Sequence, residues 1–169
     1  MTKVKKNSKG FSLVEMLVVI LIFAAVGILS TNAVSLTLRS SRKSESLLRV
    51  RESVNYSLSV IERHIRNVGT IPSCTGVNAA SISYLTPDGQ LGSFTCISPG
   101  VGGYIASGSA NIRLTSNDIS ITSCVFKCTQ VDLNNPPVVR LSVSAEDATS
   151  IASEKGTVST DIEIATRNY

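Results

Sequence analysis

The sequence predicts an α+β fold, in which one long N-terminal helix packs on a small antiparallel β-sheet domain. Two observations carry this. From Leu29 to Val68 there is no proline and no glycine, and apolar residues recur at helical spacing. From residue 70 onward, serine, threonine, glycine, asparagine and β-branched residues dominate, in short alternating stretches broken by turn sequences.

The chain opens with a basic segment. Residues 1–10 hold Lys3, Lys5, Lys6 and Lys9 and no acid, and from Phe11 to Leu38 the only charged side chain is Glu15. The 169-residue chain carries a formal charge of +4, from 16 basic and 12 acidic residues. Without residues 1–10 the count falls to 12 against 12, so the basic character belongs to the leader. A lysine-rich leader before an apolar segment is expected to stay on the cytoplasmic side of a membrane.

Met16 to Leu29 reads MLVVILIFAAVGIL, and Phe11 to Leu29 is a 19-residue stretch with Ser12 and Glu15 as its only polar side chains. About 20 apolar residues span a bilayer core as a helix. A secretory signal peptide would place small residues at an A-x-A-like site after its apolar core. The segment after Leu29, STNAVSLTL, matches that site poorly, and Gly10 lies before the apolar run. Cutting at Gly10 would leave the apolar segment on the mature chain.

Beyond the membrane segment, Leu47, Val50, Val54, Leu58, Ile61, Ile65 and Val68 step by three or four and form one apolar stripe. Arg49, Glu52, Arg63 and Arg66 fall off the stripe, and Glu62 with Arg66 is a favourable i,i+4 pair. A helix from Phe11 to about Asn67 would be on the order of 85 Å long. The division expected is a lysine-rich leader over 1–10, a transmembrane helix over 11–30, an amphipathic extension of it over 31–69 and a β-rich domain over 70–169.

In that last segment the alternating stretches are Ser81–Leu85, Ser93–Ile97, Asn111–Thr115, Ile119–Phe126, Val138–Ala145 and Val158–Ala165. Turn sequences TPDG (86–89), SPGVGG (98–103) and NNPP (134–137) separate several of them. One sheet of about four to six strands is expected, covered by the helix stripe. The glycines at 100, 102 and 103 read as loop flexibility.

Four cysteines, Cys74, Cys96, Cys124 and Cys128, are disulfide candidates if this segment is exported. Three connectivities are possible. Local pairings, Cys74 with Cys96 and Cys124 with Cys128, each close a short loop and are the leading expectation, against the alternative that Cys124 and Cys128 each pair with a cysteine on another segment. Pairing Cys124 with Cys128 would need a turn or bulge at Val125 to Lys127, because those cysteines would lie about 13 Å apart on an extended strand. A zinc site is a further alternative, but Cys74 and Cys96 stand 22 positions apart where zinc ribbons show tight C-x2-C pairs. No metal and no cofactor is expected.

The stretch Lys9 to Leu17, KGFSLVEML, resembles the type IV prepilin family, which includes pilins and the pseudopilins of type II secretion. The order of elements carries the resemblance: a short lysine-rich leader, Gly10, Phe11, Glu15 four positions later, and an unbroken apolar run. It implies cleavage between Gly10 and Phe11 by a prepilin peptidase, and N-methylation of Phe11. It also implies a structural subunit, not an enzyme, that assembles with other pilin or pseudopilin subunits. An inner-membrane platform with a cytoplasmic ATPase would drive assembly, and membrane lipid would hold the chain beforehand. Elementary chemistry fits these roles. Glycine lets a peptidase approach the backbone closely. A carboxylate in a lipid-facing segment costs a few kcal/mol unless partnered, and Glu15 has no basic residue within reach on its own helix. Its expected partner is the amine of Phe11, on this chain or on the neighbouring subunit, and the resemblance implies the neighbour, where the pair would set the register of docking.

RVRESVNYSLSVIERHIRN (49–67) and the terminal TRN (Thr166 to Asn168) resemble W-type minor pilins and J-type pseudopilins, which implies a minor subunit. Two other functions are the alternatives. An adhesive or DNA-binding filament-tip protein has little support, because the mature chain is neutral and aromatics are sparse. A membrane-anchored periplasmic enzyme would need a catalytic constellation. His64 is the only histidine, and no phosphate loop, H-E-x-x-H or G-x-S-x-G occurs. The cluster at Arg39 to Lys43 reads as a solvated charge run just outside the membrane, and the sequon at Asn55 lies mid-helix.

Overall fold

The computed structural model describes residue 10 and residues 12–108, 110–132, 135–151 and 153–167. The leader before Gly10, Phe11, Asn134 of the NNPP turn and Asn168 of the terminal TRN therefore lie outside the described residues. The fold is α+β, a long N-terminal helix packed on two small antiparallel sheets. The chain divides into two compact units, residues 1–41 and 42–169.

Helix α1 runs Leu13–Arg66. The Met16 N–H donates to the Ser12 carbonyl at its start. At its end Asn67 Nδ2 donates to the Arg63 carbonyl, and the Arg167 N–H caps the Arg66 carbonyl at 3.0 Å. Arg63 and Arg66 in the last turn complement the helix dipole.

Within residues 42–169, α1 buries the stripe the spacing predicts: Val50, Val54, Leu58, Ile61, Ile65 and, just past the helix, Val68. Leu47, expected at the head of the stripe, is half-buried. Ser46 and Ser57 are fully buried beside it. Ser57 Oγ donates to the Ser53 carbonyl, which satisfies it inside the core.

The strands are β1 (Asn78–Ala79), β2 (Ser81–Leu85), β3 (Leu91–Ile97), β4 (Tyr104–Ser107), β5 (Ile112–Arg113), β6 (Ile119–Thr129), β7 (Val138–Asp147) and β8 (Thr157–Ala165). They form not one sheet but two, ordered β2-β3-β4-β5 and β1-β6-β7-β8. Every pairing is antiparallel. Phe94, Ile105, Ile119, Ile121, Phe126, Leu141 and Ile164 fill a core shared with the helix stripe.

The 98–103 loop is shaped by glycine, not loosened by it. A Cβ on Gly103 would sit 2.4 Å from the Ile121 carbonyl oxygen, which accepts the Gly100 N–H at 2.8 Å. The Ile121 N–H in turn donates to the Gly103 carbonyl. These bonds tie the loop to β6.

The disulfides correct the local pairing. Cys74 is joined to Cys128 and Cys96 to Cys124. The register of β6 against β7 shifts between Ile121 and Ser123, and beyond that bulge Cys124, Phe126 and Cys128 all face inward. Two cysteines on one face of a continuous strand cannot reach each other, so each bonds across the core. Cys124 meets Cys96 on β3 and links the two sheets. Cys128 meets Cys74 in the segment after the helix, where the Gly76 N–H also donates to the Cys128 carbonyl at 2.7 Å. The zinc alternative falls with the same observation, because all four sulfurs are bonded to one another.

Candidate functional site

The predicted site begins at the amino end of α1. Gly10 is exposed and outside the helix, with nothing within 4 Å of where a Cβ would project. Glu15 is exposed in the first turn, where a carboxylate complements the positive end of the helix dipole. Phe11, placed in the sequence as its partner, lies outside the described residues.

Around Glu15 the helix is apolar and bare. Leu13, Val14, Leu17, Ile20, Leu21, Phe23, Ile28 and Leu29 are each more than half exposed. An 18-residue window of this helix has a mean hydropathy of 2.7, and none of it is buried. A bare apolar surface of this extent is unfavourable in water and calls for lipid or another apolar surface. The hydroxyls that follow are absorbed by the backbone: Ser30 donates to the Val26 carbonyl, Thr31 to Gly27, Ser35 to Thr31 and Thr37 to Ala33. These polar residues can therefore sit in a low-dielectric setting without stranding a donor.

Residues 5–31 match the family model for the prokaryotic N-terminal methylation motif. That match spans Gly10, Phe11 and Glu15 and most of the apolar run. It points to a type IV pilin-like or pseudopilin subunit, a kind of protein that is structural and generally non-enzymatic. It implies processing by a prepilin peptidase and assembly with other pilin subunits. With the apolar helix, it is consistent with membrane anchoring and a pilus-like filament. No curated protein and no solved structure matches the chain.

The unit formed by residues 42–169 holds a second constellation that sequence reasoning missed, a clamp gripping the first turns of its helix segment. Asp147, at the end of β7, is fully buried. Its carboxylate accepts from Thr149 N and Oγ1 at 2.8 and 2.7 Å and from Ser150 N and Oγ at 3.2 and 2.8 Å. Arg49 lies 3.6 Å away. Burial alone would raise the Asp147 pKa. The hydrogen bonds from Thr149 and Ser150 outweigh it and hold the carboxyl well below the usual range. Two further contacts complete the clamp. Ser46 Oγ accepts the Gly156 N–H at 2.8 Å, and Arg42 faces Glu154 at 3.7 Å. The DATS sequence, 147–150, is an Asx/ST-turn signature that could have flagged the turn, but nothing local marks its contact with the helix.

His64, weighed as a catalytic candidate, is exposed, with its ring 6.0 Å from Phe94 and 6.4 Å from Tyr84. Those are aromatic packing contacts at the edge of the core.

Proposed function

We propose that this chain is a minor structural subunit of a type IV pilus or a type II secretion-like pseudopilus. The observation that carries the reading is the motif match over residues 5–31, set on a helix whose apolar first part is bare. A prepilin peptidase cuts between Gly10 and Phe11, and Phe11 is N-methylated. Residues 11–30 anchor the chain in the inner membrane with its amino end cytoplasmic, and later form the filament core. Residues 31–69 extend the helix, and residues 70–169 form the exported domain. Two disulfides in that domain support export to an oxidising compartment.

Glu15 is the assembly residue. Its carboxylate takes the amine of Phe11 on the next subunit, and that pairing sets the docking register. Passing from lipid into a helix bundle keeps the apolar surface away from water, so the transfer costs little. The platform and its ATPase supply the work. The W- and J-type resemblance of residues 49–67 supports the minor role.

The test is incorporation. In the native host, tagged chain is expected in sheared filaments or in the pseudopilus fraction, and only when the prepilin peptidase is active. Chain that stays in the membrane fraction in both backgrounds would overturn the reading.

A further inference from the structure

Helix α1 leaves two apolar side chains exposed within the 42–169 unit, away from the core stripe. Leu48 and Tyr56 are each 62% exposed, and Glu52 lies between them at i,i+4 spacing. Beside them runs a groove of about 410 Å³, walled by Tyr56, Leu114 and Ile119 and carrying Arg49, Glu52 and Asp118. Its charge is unbalanced. The Arg49 guanidinium already faces the buried Asp147, whereas Glu52 and Asp118 have no ion-pair partner among the described residues. The site therefore combines exposed apolar surface, two unpaired carboxylates and an aromatic ring. It fits a basic side chain with an apolar stem, whose cation can sit over the ring and between the acids.

The chain carries such a group on the same helix. Lys43 is exposed and has no carboxylate partner among the described residues. We propose that this groove receives Lys43 of a second copy of the chain, in a head-to-tail contact. The inference rests on the filament reading above and adds a specific lateral contact to it. Lys43 and Glu52 stand nine positions apart, so two parallel helices offset by about 14 Å bring the cation of one level with the carboxylate of the next. The surfaces differ, so the contact is heterologous and repeats along an open array. A two-fold contact of groove on groove would gather four carboxylates and is disfavoured.

Crosslinking tests it. Two differently tagged full-length copies, one carrying Lys43→Cys and the other Glu52→Cys, are co-expressed in the native host and treated with a short bis-maleimide. The expected product is a covalent dimer of the two tags, absent when both copies carry the same substitution. Because a new cysteine can disturb the native disulfides, charge reversal gives a second readout. Lys43→Glu or Glu52→Lys alone is expected to lower co-purification of the two tags about threefold to tenfold, and the double reversal to restore it. No dimer and no charge effect, in chain whose mass shows cleavage after Gly10, would overturn this contact and leave the filament reading standing. Glu52 crosslinked only to a different protein would do the same. Uncleaved chain would bring down both.

Discussion

Removing the disulfides is expected to destabilise the β domain in a nested pattern. Cys96–Cys124 spans 28 residues and lies inside Cys74–Cys128, which spans 54. With the inner bond intact, the outer one closes a path of 22 residues before Cys96 and four after Cys124. Chain-entropy arithmetic then gives a loss of about 3 kcal/mol without the inner bond, about 3.5 kcal/mol without the outer and about 7 kcal/mol without both. Domains of this kind are typically stable by about 5–15 kcal/mol, so the chain lacking both bonds should be close to unfolded. The assay is urea unfolding of paired Cys→Ala variants in detergent, followed by near-ultraviolet circular dichroism. Thiol mapping gives the connectivity independently. Cys74→Ala should free Cys128 to alkylation, whereas the local pairing would free Cys96. A free Cys96, or a loss below about 1 kcal/mol without both bonds, would refute the reasoning.

Three more predictions come from the clamp and the membrane segment. Asp147 has a lowered folded-state pKa, so its contribution is complete above the usual carboxylate range, near pH 4, and fades as pH falls through the lowered value. Asp147→Asn should cost about 2–4 kcal/mol at neutral pH and flatten the loss of stability below about pH 4; urea midpoints with parallel pH slopes would contradict this. Gly156→Ala places a Cβ 2.6 Å from the Leu47 nitrogen and 2.8 Å from Leu47 Cα, all backbone, and should cost about 1–3 kcal/mol; an unchanged midpoint would refute the close packing. Glu15→Ala should leave membrane insertion intact and abolish incorporation into filaments, and equal incorporation would remove Glu15 from its assembly role.

What was legible in the sequence follows the reach of each signal. The helix stripe is periodic over several turns, and the structure buries Val50 through Val68 as that spacing requires. Strand β2 coincides with the alternating Ser81–Leu85, and β6, β7 and β8 extend the stretches read for them by a few residues. Strand β4 was not legible, because Tyr104–Ser107 follows a glycine-rich turn and its burial, with Ile105 and Ala106 both buried, does not alternate. Nor was β1, only two residues long. The division into two sheets and the cysteine pairing depend on tertiary contacts, and the bulge before Cys124 has no sequence signature of its own. The burial of Ser46 and Ser57 has no sequence signal, since serine is usually exposed, yet each sits in the core with a partner. The clamp at Asp147 was not legible in the sequence. Gly10 and Glu15 belong to a linear motif, whereas Asp147 and Gly156 meet the helix only after folding.

Intact-mass analysis of protein from membranes of the native host tests the proposed prepilin-type processing most directly. The expected mass lacks Met1 to Gly10 and carries one added methyl group and two disulfides. A mass retaining Met1 to Gly10, in cells with an active prepilin peptidase, would contradict it.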